Sequence, residues 1–293
     1  MHAMNIIPAN NLACPIDKLE LFRKENHYQC ANGHSFDIAR QGYVNLLPVQ
    51  HKKSKHPGDS KAMVEARTRF LNTGFYNPVA DNLSKIIFQQ LSSNETHCIF
   101  DAGCGEGYYL QHVINAAQLI NDDTNISFIG MDISKPAIVA ASKRSKLASW
   151  VVGTNSQPPF LDQSIDLIFC VFGFQSFAGF KKILKADGKL ILVEPGTKHL
   201  QELRDIIYTE PASEKSGNKS GKDSDYALID TQTLEFEIHL NNNEQILDLL
   251  TMTPHLFRAS SEGKACIENM DSLSLTTDMI FRIFEYQPVA DRP

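Results

Sequence analysis

Residues 99–109, Ile-Phe-Asp-Ala-Gly-Cys-Gly-Glu-Gly-Tyr-Tyr, constrain the fold more than any other part of the chain. An apolar run ends at Asp101 and leads directly into Gly103, Gly105 and Gly107. Glycine permits a sharp turn, and it lets a ligand lie against the main chain with no Cβ between them. The pattern predicts a buried strand, a tight loop and a helix from Tyr108, with a ligand at the carboxyl edge of a parallel sheet.

The glycine spacing distinguishes between two classes of ligand. In the dinucleotide fingerprint G-x-G-x-x-G, the third glycine lies five residues after the first. Here Tyr108 occupies that position, and the third glycine comes one residue early, at Gly107. The resulting D-x-G-x-G-x-G pattern resembles the S-adenosylmethionine (SAM) loop of class I methyltransferases. A nucleotide site and a glycine-rich turn without a ligand are the alternatives.

Alternating strands and helices follow the loop and predict an α/β fold. Strands are expected at 97–101, 126–132, 149–153, 165–172, 189–194, 233–240 and 276–286. The last of them is expected to form a hairpin-like end to an otherwise parallel sheet. This order resembles the class I SAM-dependent methyltransferase fold, Rossmann-like with a mostly parallel seven-stranded sheet. Asp132 ends the second strand and is expected to hold ribose hydroxyls, with capping of the next helix together with Ser134 as the alternative.

The N-terminal part carries a spacing of possible metal ligands. Residues 12–47 have too few large apolar side chains to fold unaided, so a stabilising cross-link such as a bound metal ion is expected. Cys14-x2-Asp17 is followed by Cys30-x3-His34, and a cysteine at position 17 would complete a zinc pattern. Aspartate ligates zinc through oxygen, whereas structural sites prefer sulfur and nitrogen. Zinc on these four residues, an empty ribbon-like site and a disulfide between the two cysteines are the open interpretations.

Charge is unevenly distributed along the chain. Residues 1–70 contain ten Lys/Arg and six Asp/Glu, a balance of +4. The net charge of the whole chain is −6, so the remaining residues carry −10. A basic front end favours contact with a polyanion. His51, Lys52, Lys53 and Lys55 are the candidates for holding the phosphates of such a polyanion, and a solvated linker is the alternative.

These patterns predict three parts of the chain. Residues 1–48 are expected to be a small β zinc-ribbon-like domain, closed by an apolar strand over 41–48, and 49–75 a basic linker and helix. Residues 76–293 are expected to be the methyltransferase domain, with 211–225 as a mobile polar segment. No apolar run of membrane-spanning length occurs, the first residues lack the pattern of a signal peptide, and the cysteines are scattered, so a cytoplasmic protein is expected.

Several segments together resemble the bacterial 23S rRNA guanine-N1 methyltransferase family over nearly the whole chain. They are residues 42–52, 57–60, 66–71, 74–76, 101–109, 132–134, 195–200 and 252–254. The resemblance implies SAM-dependent methylation of guanine N1 in a hairpin loop of 23S rRNA. The alternatives are a class I methyltransferase acting on a small molecule and an inactive protein that binds SAM or RNA.

The resemblance also implies roles for individual residues. The family has an N-terminal zinc ribbon, whose ligands match Cys14, Cys30 and His34, and Asp17 stands where the family has a cysteine. Contacts with SAM are implied for Tyr76, Gly105, Glu106 and His199, in addition to the loop residues already named. A homodimer is plausible, because two ribbons could build a basic groove.

The reaction adds further expectations. Guanine N1 carries a proton at neutral pH, so a base or a stabiliser of the developing charge on O6 is needed. Glu194, at the end of the fifth predicted strand, is the candidate base. A splayed or flipped base is expected to stack on aromatic side chains, for which Phe172, Phe174 and Phe177 are candidates, with core packing as the alternative.

Overall fold

The computed structural model describes residues 4–48, 57–208 and 225–288. Its strands are β1 (Asn5–Ile6), β2 (Phe22–Arg23), β3 (His27–Gln29), β4 (Ser35–Asp37), β5 (Tyr43–Asn45), β6 (Thr96–Ala102), β7 (Asn125–Asp132), β8 (Ser149–Val152), β9 (Ile165–Val171), β10 (Leu184–Pro195), β11 (Tyr226–Leu240) and β12 (Leu273–Tyr286). Its helices are α1 (Lys61–Asn72), α2 (Asn77–Gln89), α3 (Tyr108–Ala117), α4 (Lys135–Arg144), α5 (Phe177–Ile183), α6 (Gln201–Ile207), α7 (Asn243–Met252) and α8 (Ser261–Glu268), with a 3-10 turn at Pro254–Phe257.

The large sheet has the order β11-β12-β10-β9-β6-β7-β8-β5, and β1 lies beside β7. Pairing is parallel from β10 to β5, whereas β12 is antiparallel to both β10 and β11. This confirms the predicted α/β methyltransferase fold. The seven expected strands are present, and β1 and β5 extend the sheet with residues that precede the predicted methyltransferase domain.

A second, antiparallel sheet of β2, β3 and β4 forms the ribbon. The strand predicted over 41–48, which is β5 in the structure, is expected to close this small domain. Instead Tyr43 and Asn45 pair with β8 of the large sheet, and only Val44 also bridges to Ile38 of the ribbon. That expectation is therefore wrong, and β5 ties the ribbon to the large sheet.

The core covers both faces of the large sheet. Neighbouring residues of a strand point to opposite faces, so Ile99 packs in one apolar cluster and Phe100 in the other. Strands buried on both sides appear as continuous apolar runs, which is why β6, β7 and β9 were recognisable. Among the described helices, none combines the length and apolarity needed to cross a membrane.

Candidate active site and metal centre

The glycine loop lies between β6 and α3, at the carboxyl edge of the sheet. Asp101 pairs with Gly130 of β7 and Phe169 of β9, so the loop leaves the middle of the sheet. Gly103, Gly105 and Gly107 have φ of 90°, 55° and 84°, in the left-handed region that favours glycine. A Cβ at Gly107 would also lie 2.8 Å from the Trp150 ring. Both geometry and space therefore require glycine at position 107.

Three carboxyl groups surround this loop. Asp101 is 1% exposed and Glu106 is 2% exposed, while Asp132 is partly buried. The Asp132 carboxylate accepts the N–H of Gly105 at 3.0 Å and the N–H of Ser134 at 2.7 Å. The helix cap itself is Ser134, whose hydroxyl accepts the N–H of Ala137. Asp132 thus links the glycine loop to the start of α4.

The electrostatics of these carboxyl groups differ from those of a surface site. Burial raises the pKa of Asp101 well above its usual value, and the neighbouring Asp132 and Glu106 raise it further. Among the described residues Asp101 Oδ2 has no hydrogen-bond partner. Burial also raises the pKa of Glu106, against the effects of Arg144 and Arg67. A buried acceptor without a partner costs free energy, which a cationic or hydrogen-bonding ligand would recover.

Two arginines that the sequence reasoning did not select complete this region. Arg144 donates to Glu106 Oε1 at 3.1 Å from the last turn of α4. Arg67 of α1 pairs with Asp59, and its Nη2 donates to the Met252 carbonyl at 3.0 Å. The Arg67 guanidinium lies 3.6 Å from the position that a Cβ of Gly105 would take. The loop is therefore covered from one side by a cation on a separate helix.

An aromatic group lies farther along the same edge. Tyr76 is buried at the start of α2, with its ring centroid 6.4 Å from that of His199. The Phe172 ring stacks on His199, with the two ring centroids 6.1 Å apart and an interplanar angle of 14°. His199 Nδ1 accepts the N–H of Asp278 at 3.4 Å. Burial lowers the pKa of His199 to about 4, with His255 and Arg204 adding to the effect, so the ring is neutral at pH 7.

Glu194 ends β10 beside this aromatic group. Its Oε1 accepts the Gln175 amide at 2.9 Å, and Arg282 of β12 forms an ion pair with its Oε2. Glu194 faces Ile280 across the strand pair, so Arg282 is its diagonal neighbour. The candidate base is thus engaged at both oxygens.

The three phenylalanines after β9 have different environments. Phe172 and Phe174 are 45% and 69% exposed. Phe177 instead packs edge-on against Tyr226 and Phe284, with centroids 5.2 Å and 6.2 Å away. Core packing therefore accounts for Phe177, and the other two remain open to a ligand.

The candidate metal ligands come together in the ribbon. The ligand atoms of Cys14, Asp17, Cys30 and His34 all lie within 4.8 Å of one another. Both sulfurs lie close to His34 Nδ1, at 3.5 Å and 3.4 Å, and the Asp17 carboxylate lies 3.4 Å from Cys30 Sγ and 3.0 Å from His34 Nδ1. A tetrahedral zinc ion would separate such atoms by roughly 3.3 to 3.8 Å. The four residues therefore fit zinc, with the Asp17–His34 distance slightly short.

Asp17 is prepared for a ligand role by its neighbours. The N–H of Leu19 donates to its Oδ1 at 3.1 Å, and the Asn32 amide donates to its Oδ2 at 3.0 Å. Burial opposes ionisation, but hydrogen bonds from Cys14, Leu19 and Asn32 lower the pKa of Asp17. The carboxylate form, which a metal requires, is thus favoured. Cys14 and Cys30 are both free thiols in the structure.

The candidate RNA-binding residues His51, Lys52, Lys53 and Lys55 lie outside the described residues. The polar segment 211–225 also lies outside them, except for Asp225. That residue accepts a hydrogen bond from Lys181 at 3.0 Å.

Comparison with known proteins gives matches in both parts of the chain. Residues 12–55 match the family model described as "RlmA, N-terminal", a zinc ribbon, and residues 99–188 match a methyltransferase domain. The first match contains the four candidate metal ligands. The second contains the glycine loop and Asp132.

Three curated relatives extend the similarity. The chain is 31% identical to YxjB of Bacillus subtilis (strain 168), provisionally named a 23S rRNA (guanine-N(1)-)-methyltransferase, over 84% of this chain and 86% of that protein. It is 30% identical to a Streptomyces fradiae 23S rRNA (guanine(748)-N(1))-methyltransferase, over 67% of each. A provisionally named Micromonospora griseorubida 23S rRNA (guanine-N(1)-)-methyltransferase is 27% identical, over 95% of this chain and 98% of that protein.

Proposed function

The chain belongs to the family of 23S rRNA (guanine-N1)-methyltransferases, and on that premise we propose that it methylates guanine N1 in a hairpin loop of 23S rRNA. SAM supplies an activated methyl group whose transfer is helped mainly by positioning. The protein's residues must therefore hold the donor, present the base and accept its proton.

The observation that carries this proposal is the buried carboxyl group of Asp101 beside the glycine loop. Its Oδ2 has no hydrogen-bond partner among the described residues, and two more carboxyl groups lie around the same loop. Such a site favours a ligand with positive charge and hydrogen-bond donors, and SAM carries a sulfonium, an ammonium and ribose hydroxyls.

We assign the cofactor contacts to residues of this edge. Tyr76, Asp101, Gly103, Gly105, Glu106, Gly107, Asp132 and His199 form the proposed set. Asp132 would accept ribose hydroxyls while it keeps its two backbone hydrogen bonds, since each carboxylate oxygen has a second lone pair. Arg144 engages Glu106 Oε1, so the cofactor contact of Glu106 would be through Oε2. Tyr76 and His199 would form an aromatic wall.

We propose Glu194 as the group that accepts the proton from guanine N1. It lies at the carboxyl end of β10, and β9 alone separates that strand from β6. Gln175 and Arg282 orient its carboxylate and keep it in one position. Glu194→Gln should lower kcat with saturating SAM and RNA while leaving SAM affinity unchanged. Full turnover in that variant would exclude Glu194 as the base.

The N-terminal part is proposed to bind RNA. Zinc held by Cys14, Asp17, Cys30 and His34 would stabilise the ribbon over residues 1–48, and the basic linker within 49–75 would contact phosphates through His51, Lys52, Lys53 and Lys55. Binding through phosphates makes affinity salt-dependent. Replacing the three lysines by glutamine should therefore flatten the dependence of RNA affinity on salt concentration.

The activity is tested by incubating the protein with labelled SAM and 23S rRNA that lacks the modification. A methyl group on N1 blocks the Watson–Crick edge, so primer extension should stop at one guanine of a hairpin. A parallel incubation with a small-molecule pool tests the alternative substrate class. Label in the small molecules, or label in RNA without such a stop, would overturn the proposal.

We also propose a homodimer and a cytoplasmic location. Two ribbons side by side would double the basic surface presented to one hairpin, and the proposed substrate is part of the ribosome. Sedimentation of the full chain with and without RNA tests the dimer. A monomer under both conditions would overturn it.

A further inference from the structure

We propose that the loop after β9, the carboxyl end of β10 and Arg282 of β12 form a pocket that selects guanine over other bases. In this pocket Phe172 and Phe174 stack on the target base, and Glu194, oriented by Gln175 and Arg282, accepts hydrogen bonds from its N1 and N2 groups. The inference rests on the proposed function and adds to it the residues that recognise the base.

The first step is the position of this loop against the glycine loop. A Cβ at Gly103 would lie 3.7 Å from Gly173 Cα, and a Cβ at Gly173 would lie 3.1 Å from the Ala102 carbonyl. The two main chains thus touch at a pair of glycines, one in each loop. A base bound on residues 172–175 would lie directly beside a ligand of the glycine loop, as transfer of a methyl group requires.

The second step is the exposure of two aromatic rings at this point. Phe172 has φ of 54°, a conformation that a bulky residue adopts only at a cost, and it is 45% exposed. Its N–H donates to the Val193 carbonyl, which fixes it against β10. Phe174 is 69% exposed, and Asn155 Nδ2 holds its carbonyl at 2.8 Å. The main chain is anchored while the rings face outward, as a stacking surface needs.

The third step is the polar group beside those rings. Side-chain exposure is 22% for Glu194 and 18% for Arg282, and Glu194 Oε2 is buried, which leaves Oε1 as the oxygen that a base could reach. Oε1 of Glu194 accepts one donor, the Gln175 amide, and has a second lone pair. Guanine presents N1–H and N2–H donors side by side, and both can donate to Oε1. Adenine presents an N1 acceptor there, and its lone pair would face the carboxylate.

This chemistry predicts strong discrimination. A site that hydrogen-bonds a donor rejects an analogue without it, because its own polar groups are then left unpaired. Inosine keeps N1–H and O6 of guanine but lacks the N2 amine. Replacing the target guanine by inosine in the hairpin should therefore lower kcat/KM about tenfold or more with the unaltered protein.

The stacking surface is tested with Phe174→Ala, matched by Leu119→Ala. Leu119 is 82% exposed and lies beyond the end of α3, at the opposite edge of the sheet. Stacking on an aromatic ring contributes about 1–3 kcal/mol per base, so Phe174→Ala should reduce kcat/KM for RNA by about fivefold to 150-fold. SAM affinity, measured by calorimetry, should stay unchanged, and Leu119→Ala should retain full activity.

A fluorescent base gives a readout that does not depend on turnover. With a fluorescent guanine analogue that keeps N1–H and the N2 amine at the target position, binding of the unaltered protein should change its emission as the base stacks on the rings, and Phe174→Ala should abolish that change. Equal methylation of guanine and inosine would overturn the role of Glu194 in recognising N2. Unchanged kcat/KM and emission in Phe174→Ala would overturn the stacking role. Either result with an active protein leaves the proposed function intact, whereas a protein that methylates no RNA would refute that function itself.

Discussion

The ribbon and the carboxyl edge of the large sheet position their functional groups by different means. In the ribbon, the strands have two or three residues, and the turns beside them carry four possible ligands whose atoms lie within 4.8 Å. At the carboxyl edge, the groups extend from β6, β7 and β10, which have seven to twelve residues with mostly buried side chains. The ribbon therefore depends on its ligand cluster, whereas the edge depends on the core of the sheet.

Removing one metal ligand should have the largest effect, because it should destabilise the ribbon and leave the carboxyl edge unchanged. Cys30→Ser should reduce bound zinc from about one equivalent to below a tenth and expose residues 12–38 to hydrogen exchange, because structural zinc contributes about 10–16 kcal/mol in small domains. SAM affinity should not change. The exposed Cys266 provides the control Cys266→Ser, which should keep its zinc. Loss of SAM binding together with zinc would show that the regions are not independent.

Adding a methyl group at matched glycines should show how tightly each region is packed. Gly33 and Gly107 both have φ of 84°, but a Cβ at Gly33 meets nothing within 4 Å, while one at Gly107 meets Trp150 and Ala141. Alanine should cost about 1 kcal/mol at position 33 from backbone strain and about 3 kcal/mol at position 107 from strain plus overpacking. Urea unfolding of the two variants measures this difference, and equal losses would contradict it.

Lowering the pH should reduce the folding stability of the protein through His199, which lies at the carboxyl edge. Its pKa is about 4 in the folded protein and about 6.5 when unfolded, so below pH 6.5 the unfolded chain binds a proton that the folded chain excludes. Stability is therefore lost as pH falls, by about 2 kcal/mol between pH 7.5 and pH 5 for this group. His199→Gln should show a shallower pH dependence in urea unfolding. An unchanged slope would mean that other groups dominate.

Restoring sulfur in the ribbon should have the smallest effect of the four. Asp17→Cys replaces an oxygen ligand by a thiolate, which zinc prefers in structural sites, and should strengthen zinc binding on the order of tenfold. Competition with a chromogenic chelator measures this ratio. Asn32→Ala, which removes a hydrogen bond to Asp17, should weaken binding in the protein but not in Asp17→Cys. A weaker site in Asp17→Cys would indicate that the ribbon is shaped for the carboxylate.

Strong local patterns predicted most of the large sheet. β6, the glycine loop and the start of α3 at Tyr108 were predicted closely, since a long buried strand and positive-φ glycines leave few alternatives. β1 and β5 were not predicted as parts of this sheet. Strands of two or three residues have no readable periodicity, and their partners in β7 and β8 are over a hundred residues away in sequence.

The candidate site was predictable only in part for a similar reason. Asp101 and Asp132 lie at the carboxyl ends of strands and His199 follows one, so parallel topology alone brings them to one edge. Arg67 and Arg144 lie on helices and resemble ordinary surface cations in sequence. Their contacts with Met252 and Glu106 depend on how α1 and α4 pack on the sheet.

The sequence by itself determined the fold class, the glycine turn and the spacing of the ribbon ligands, because these depend on residue type and short-range geometry. Tertiary structure alone decided that Phe172 and Phe174 face outward while Phe177 packs inside, and that Gln175 and Arg282 meet at Glu194. All three phenylalanines lie within six residues and look alike in sequence. Their exposure depends on which distant strands and loops cover them, and the hydrophobicity of the chain near these residues does not indicate which elements those are.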